Sequence, residues 1–206
     1  MNLENLKFVG MDLSLTGTGL VCINGNSKVI ASKLIQTKPT KDKLKRFLSI
    51  RNNIRVFLTN LNIKDVIDIP EYNYPTEIVI EGFSYGSKGA SVYDLGMLGG
   101  IIRLDLFEKS FPYYVDYPPT FVKKFITGKG NAKKDLMIKE VFKLGFDTDD
   151  SNLADAFALA YIAKTIYLVK NKIDQKLNKN QKILIEKYLF EKSKEELSKN
   201  ENTNTE

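Results

Sequence analysis

The sequence predicts an α/β fold, a mixed β-sheet led by a hairpin with helices packed on it. Three observations carry that expectation. Residues 6–37 hold three stretches of strand character, separated by a glycine-rich turn and an Asn-Gly turn. From residue 40 onwards, segments with helical spacing alternate with short β-branched stretches, the order of a sheet flanked by helices. The chain has 206 residues, 43% of them hydrophobic, enough for the core of one moderate domain.

Each element has its own signal. "LKFVGMDLSLTGTGLVCING" reads as a strand, a tight turn and a second strand, and "SKVIASKLIQT" alternates as a third. Residues 40–60 place Leu44, Phe47, Leu48, Ile50, Ile54, Phe57 and Leu58 at helical spacing, with basic residues on the opposite face. "IKDVIDIPEYNYPTE" carries two prolines and reads as a loop. "EIVIEGF" reads as a buried strand, "SVYDLGMLGGIIRLDLFEKS" as a helix and "YYVDY" as a short strand closed by Pro118-Pro119. "TFVKKFITG" is a short helix, "TGKGNAKK" a glycine-broken loop and "KKDLMIKEVFKLG" a helix ended by Gly145. "SNLADAFALAYIAKTIYLVK" is the last strong helix, with Ser151 or Asn152 expected at its N-cap. The domain is expected to span residues 1–170. Residues 171–206, rich in Lys, Asn and Glu, form a helical to disordered tail whose last ten residues should be disordered.

Composition removes several chemistries. Histidine is absent and Cys22 is the lone cysteine. Imidazole bases, Ser-His and Cys-His nucleophiles, disulfides and cysteine-rich zinc sites are thereby excluded. An enzyme built from this chain has carboxylates, lysines, hydroxyls or an oxygen-bound hard metal to work with. No signal peptide is visible, and no apolar run approaches the ~20 residues of a membrane span. A cytoplasmic protein without membrane contact is the expectation. The formal net charge is +6, and it is concentrated. Residues 28–55 carry nine Lys/Arg against Asp42 alone, and residues 118–145 carry seven lysines against Asp135 and Glu140. Such segments suit phosphate groups, although solvated helix faces account for either one singly.

Three acids fall on elements that should be buried, where a carboxylate is costly. Asp12 lies in the first strand, Glu81 ends the strand "IVIE", and Asp155 lies in the last helix on a stripe with Asn152, Leu159, Ile162 and Ile166. Singly, each has a bland reading: Asp12 can cap the turn, Glu81 can pair with a lysine, and Asp155 can complement the helix dipole. Together, three acids without a cation repel one another and some stay protonated. A bound Mg²⁺ resolves the conflict, because it takes oxygen ligands and leaves positions open for substrate phosphate. Beside basic segments, such a site suggests two-metal phosphodiester hydrolysis.

The same residues resemble a family, the RuvC-type Holliday junction resolvases. "FVGMDLSLTGTGLVCI" resembles their first strand and turn, "IVIEGF" their second acidic strand, and "LGMLGGIIR", whose Gly96 lies fifteen residues past Glu81, their "LGQARG" helix. "YPPTFVKKFITGKGNAKKDLM" is similar to the segment before the last helix, and "NLADAFALAYIA" resembles the closing "DxxDALAIA" helix. The resemblance runs in unbroken order over about residues 6–168. It implies an RNase H-like fold, a homodimer, and paired, Mg²⁺-dependent nicking of four-way DNA junctions; a broader reading is a debranching nuclease that also cuts forks and three-way junctions. Two Mg²⁺ ions are implied, with Mn²⁺ as a substitute. It assigns Asp12, Glu81 and Asp155 as catalytic metal ligands. Lys123 and Lys134 fall at its phosphate-contacting lysines, flanked by Lys129 and Lys133 as further DNA contacts.

Two departures stand out. The family's usual fourth acid is here Asn152, whose carbonyl can bind a metal but adds no charge; Asp149 or Asp150 can compensate from the preceding loop. The family's junction-stacking aromatic falls at Ser84, so Phe83 or Tyr85 takes that role, Tyr85 being preferred because Phe83 continues the strand. The departures and compact size suit a phage-type member. The competing expectation is a catalytically weak or inactive RNase H-like module that binds branched DNA.

Overall fold

The computed structural model describes residues 2–63, 76–82, 90–108 and 114–203. The expected loop over 63–77 and the two candidate stacking aromatics, Phe83 and Tyr85, lie largely or wholly outside these residues. Two compact units divide the chain, Met1–Thr165 and Ile166–Glu206.

A five-stranded sheet organises the first unit. A 3₁₀ turn (Leu3–Asn5) leads into β1 (Lys7–Asp12), β2 (Gly17–Asn24) and β3 (Val29–Gln36), and β4 (Thr76–Glu81) and β5 (Tyr114–Tyr117) complete the sheet in the order β3-β2-β1-β4-β5. β1–β2 and β2–β3 are antiparallel hairpin pairs, whereas β1–β4 and β4–β5 are parallel. The sheet is therefore mixed, as the hairpin-led pattern predicts. α1 (Lys43–Asn60) and α2 (Ala90–Glu108) supply the crossovers, and α3 (Pro119–Thr127) and α4 (Lys134–Lys143) follow β5.

Strand alternation divides the core into two faces. Val9, Met11, Leu20, Cys22, Ile78 and Ile80 point to one side, where Phe47, Ile50, Ile54 and Phe57 of α1 and Leu98, Ile102 and Leu106 of α2 cover them. α1 and α2 are further tied by Lys43–Asp94 at 2.9 Å and by a two-pronged Arg55–Asp105 ion pair. The other side carries Gly10 and Gly19 and receives α5 (Ser151–Lys170). There the packing is backbone on backbone. A Cβ on Gly10 would lie 1.9 Å from the Ala156 carbonyl oxygen, and one on Gly19 would lie 2.2 Å from that of Asn152. Only glycine permits this approach. Ala154, Ala156, Ala158, Ala160 and Ala163 are all buried, so small residues on both partners bring the helix down onto the sheet.

The structure revises three expectations. The N-cap of α5 is Asp150: its carboxylate accepts from the amides of Asn152 (2.8 Å) and Leu153 (3.0 Å). α5 is also long and apolar enough to cross a membrane, contrary to the absence of such a run, yet 67% of that window is buried inside the protein. A helix buried on most of its surface must be apolar nearly all round, which mimics a span. In the second unit, α6 (Lys179–Thr203) continues well into the stretch expected to be disordered. It is started by a reciprocal Asn178–Gln181 box (2.9 and 3.1 Å), a capping signal that satisfies the free amides of its first turn.

Candidate active site

β1 and β4 are parallel neighbours with Met11 opposite Ile80, so Asp12 and Glu81 end their strands side by side. Asp12 shares the α5-facing side with Gly10, two residues earlier. Asp155 comes down from the second turn of α5, whose seating on Gly10 and Gly19 sets its height above the sheet. The carboxyl groups of Asp12 and Glu81 hydrogen bond to each other, and each also feels the charge of Asp155.

All three acids are shifted toward the protonated form, and burial is the leading cause in each. Asp12 lies well above the ordinary aspartate value through burial, then through the negative charges of Glu81 and Asp155. Burial, then Asp155, pushes Glu81 up to about 7. Burial raises Asp155 to about 6. Two cations oppose these shifts. Lys123 of α3 lowers Glu81 and Asp155, and Lys134 at the start of α4 lowers Asp12 and Asp155. The structure thus gathers five of the residues singled out in the sequence, Asp12, Glu81, Asp155, Lys123 and Lys134. Lys129 and Lys133 stand exposed, in the α3–α4 loop and at the α4 N-cap.

Asn152 occupies the first turn of α5 and does not cap it. Its side-chain nitrogen lies where a Cβ on Gly17 would come within 2.8 Å, so the amide is pressed over the start of β2. Asp150, held at the N-cap, adds a further negative influence on Asp155. Among the described residues, no three acids stand ready-made as a metal cage. In kind, the donors fit a hard divalent cation: one buried and two half-buried carboxylates from three elements, Asp12 and Glu81 both raised by neighbouring negative charge, and no nitrogen or sulfur ligand.

The turn that follows Asp12 stands where the sequence places it, but the side chains that hold it were not foreseen. Ser14 and Thr18 close it, with the Ser14 amide donating to Thr18 Oγ1 (3.1 Å) and that hydroxyl donating to the Ser14 carbonyl (2.7 Å). Arg46 and Thr37 grip it from outside, both donating to the Leu15 carbonyl. The Ser/Thr content of "DLSLTGTG" is the signal available in the sequence, since short hydroxyl side chains favour such local bonds.

A five-stranded mixed sheet with carboxylates on the ends of two parallel strands and on the closing helix defines an RNase H-like nuclease. Comparison with known proteins narrows the class. The family described as crossover junction endodeoxyribonuclease RuvC matches residues 8–163, and the chain belongs to that family. It is 27% identical over 169 residues to the RuvC of Ehrlichia chaffeensis, covering 78% of this chain and 99% of that one. The fold is shared with Thermus thermophilus RuvC at a TM-score of 0.59 and 19% identity, covering 82% of this chain and 98% of that one. The same protein in complex with a Holliday junction substrate matches at a TM-score of 0.59 and 20% identity, covering 82% and 97%.

Proposed function

We propose that the chain is a metal-dependent endonuclease that resolves four-way DNA junctions by paired phosphodiester nicks. The observation that carries this reading is the convergence of Asp12, Glu81 and Asp155, buried or half-buried and each destabilised as an anion, with Lys123 and Lys134 beside them. RuvC resolvases are metal-dependent nucleases in general, and this donor set suits two Mg²⁺ ions, with Mn²⁺ able to substitute. Held by these carboxylates, such ions would supply activation of an attacking water and neutralisation of charge on the leaving oxygen. The three carboxylates hold the cations. Lys134, exposed in the first turn of α4, lies where an ammonium and free backbone amides together favour a phosphate oxygen. Lys123 supports the same phosphate from α3, and exposed Lys129 and Lys133 extend the basic strip along a DNA arm. Asn152 offers one neutral donor to the site.

Paired nicks need two sites, and α2 supports a homodimer. Tyr93 (79% exposed), Met97 (51%), Leu104 (58%) and Phe107 (68%) form an apolar stripe along it, and among the described residues no neighbouring element comes within 4 Å of a Cβ on Gly96 or Gly100. Two such faces, with glycines allowing close approach, suit a two-fold interface. The departures at residues 84 and 152 suit a phage-type member acting in a bacterial host's cytoplasm.

The test is nicking of synthetic mobile and fixed four-way junctions, forks and three-way junctions with Mg²⁺ or Mn²⁺. Wild type should nick the four-way junction, Asp155→Asn should lose activity by about 10³-fold or more, and Asn152→Asp should retain or exceed it. An inactive wild type alongside an active Asn152→Asp would identify the native chain as a binder of branched DNA.

A further inference from the structure

Asp12 is followed at once by the turn 13–16, and three elements meet on that turn. Inside it, the Ser14 hydroxyl accepts from the amides of Thr16 (3.3 Å) and Gly17 (3.4 Å), while Thr18 closes it from β2. From the end of β3, the Thr37 amide donates to the Thr16 carbonyl at 3.2 Å and the Thr37 hydroxyl donates to the Leu15 carbonyl. From the first turn of α1, Arg46 donates Nε to Thr37 Oγ1 at 2.7 Å and Nη2 to the Leu15 carbonyl. One planar guanidinium thus spans a hydroxyl and a carbonyl, a two-point grip that a lysine ammonium cannot reproduce. Beyond the turn, Gly17 lies against the Asn152 side chain, so the same loop sits between Asp12 and the first turn of α5.

We propose that Arg46, acting with Thr37, is a positioning residue of the active site: it locks the 13–16 turn and so fixes Asp12 relative to Asn152 and Asp155. This rests on the nuclease reading above. Arg46 is half-buried and committed to these acceptors, and the cation that acts on Asp12 is Lys134. Its effect therefore passes through the backbone of the turn rather than through its own charge. Displacing a reacting group by a fraction of an ångström lowers the rate at bound substrate while leaving binding nearly unchanged.

The experiment compares wild type with Arg46→Lys, Arg46→Met, Thr37→Val and Thr37→Ser. Single-turnover nicking of a saturating four-way junction, junction Kd measured in Ca²⁺, and hydrogen exchange of the amides of residues 14–17 are read on each. The expected result is a fall of about tenfold or more in the nicking rate for both Arg46 variants and for Thr37→Val. Kd should stay within about twofold, exchange should be faster in residues 14–17, and Thr37→Ser should recover most of the rate. A rise in Kd with unchanged rate would make Arg46 a phosphate contact and overturn the proposal, as would wild-type exchange or a wild-type rate in Thr37→Val. The Thr37 pair decides the matter if the Arg46 variants fail to fold. A wild type that nicks nothing counts against the nuclease reading, whereas unchanged exchange in the variants counts against the latch itself.

Discussion

At the residue scale, the site is a place where charge is held at a cost until a cation arrives. Glu81 near 7 and Asp155 near 6 both lie above their ordinary values, mainly through burial. An acid raised by folding contributes stability that is complete below its unfolded value and is lost as pH rises through its folded value. In chelator, the melting temperature should therefore fall between about pH 5 and pH 8, and Glu81→Gln should flatten that fall and raise stability at the alkaline end. Adding Mg²⁺ or Mn²⁺ at pH 8 should recover the loss in wild type but not in the variant. Because cation and proton compete for the same oxygens, the apparent metal affinity should rise from pH 6 to pH 8. Titration calorimetry with Mn²⁺ at the two pH values measures it; equal affinities would refute the competition.

At the element scale, the seat of α5 on the sheet governs where Asp155 and Asn152 stand. Gly10→Ala and Gly19→Ala put a methyl group into backbone carbonyl oxygens. Each should destabilise by about 1–3 kcal/mol or more, read from denaturant midpoints, with nicking reduced beyond the loss of folded protein. Much of this layer was legible in the sequence. Strand alternation and helical spacing predict the strands and helices because burial imposes those periods directly. The three acids stood out because a carboxylate on an apolar element has few harmless explanations. Less legible were the features set by distance in space. Asp150 takes the cap because its oxygen reaches two amides at once, while Asn152, two residues further on, is pressed over Gly17. The Arg46 grip joins residues 31 positions apart, and no local pattern announces such a pairing. The α6 helix was underestimated because composition speaks for disorder, whereas the Asn178–Gln181 box is a local signal that composition averages away.

At the scale of the whole molecule, the α2 stripe makes a prediction about assembly. Leu104→Lys should shift the protein toward monomer in sedimentation or light scattering, and paired nicking should give way to single, uncoupled nicks. Gly96→Ala and Gly100→Ala offer a sharper probe. Among the described residues nothing opposes a methyl group at either position, so both should raise helix stability by about 0.5–1 kcal/mol. If two α2 helices approach closely there, the same changes should weaken the dimer; stabilised variants with unchanged association would place the interface elsewhere. The family match ends at residue 163, so a chain stopped after Lys176 should still nick junctions in the same assay.

The glycine seat under α5 carries one more implication. Where a helix is held off a sheet by side chains, its height can drift by a methylene at a time, and activity can be tuned in small steps. Here the spacing is set by bare backbone, which has no smaller setting and no gentle larger one. The depth of Asp155 is thus a fixed dimension of the scaffold. Adjustment of the reaction is left to parts that can change by degrees: the identity of residue 152, the grip on the turn after Asp12, and the lysines at the rim. A variant library aimed at retuning this nuclease should keep Gly10 and Gly19 constant and spend its diversity there.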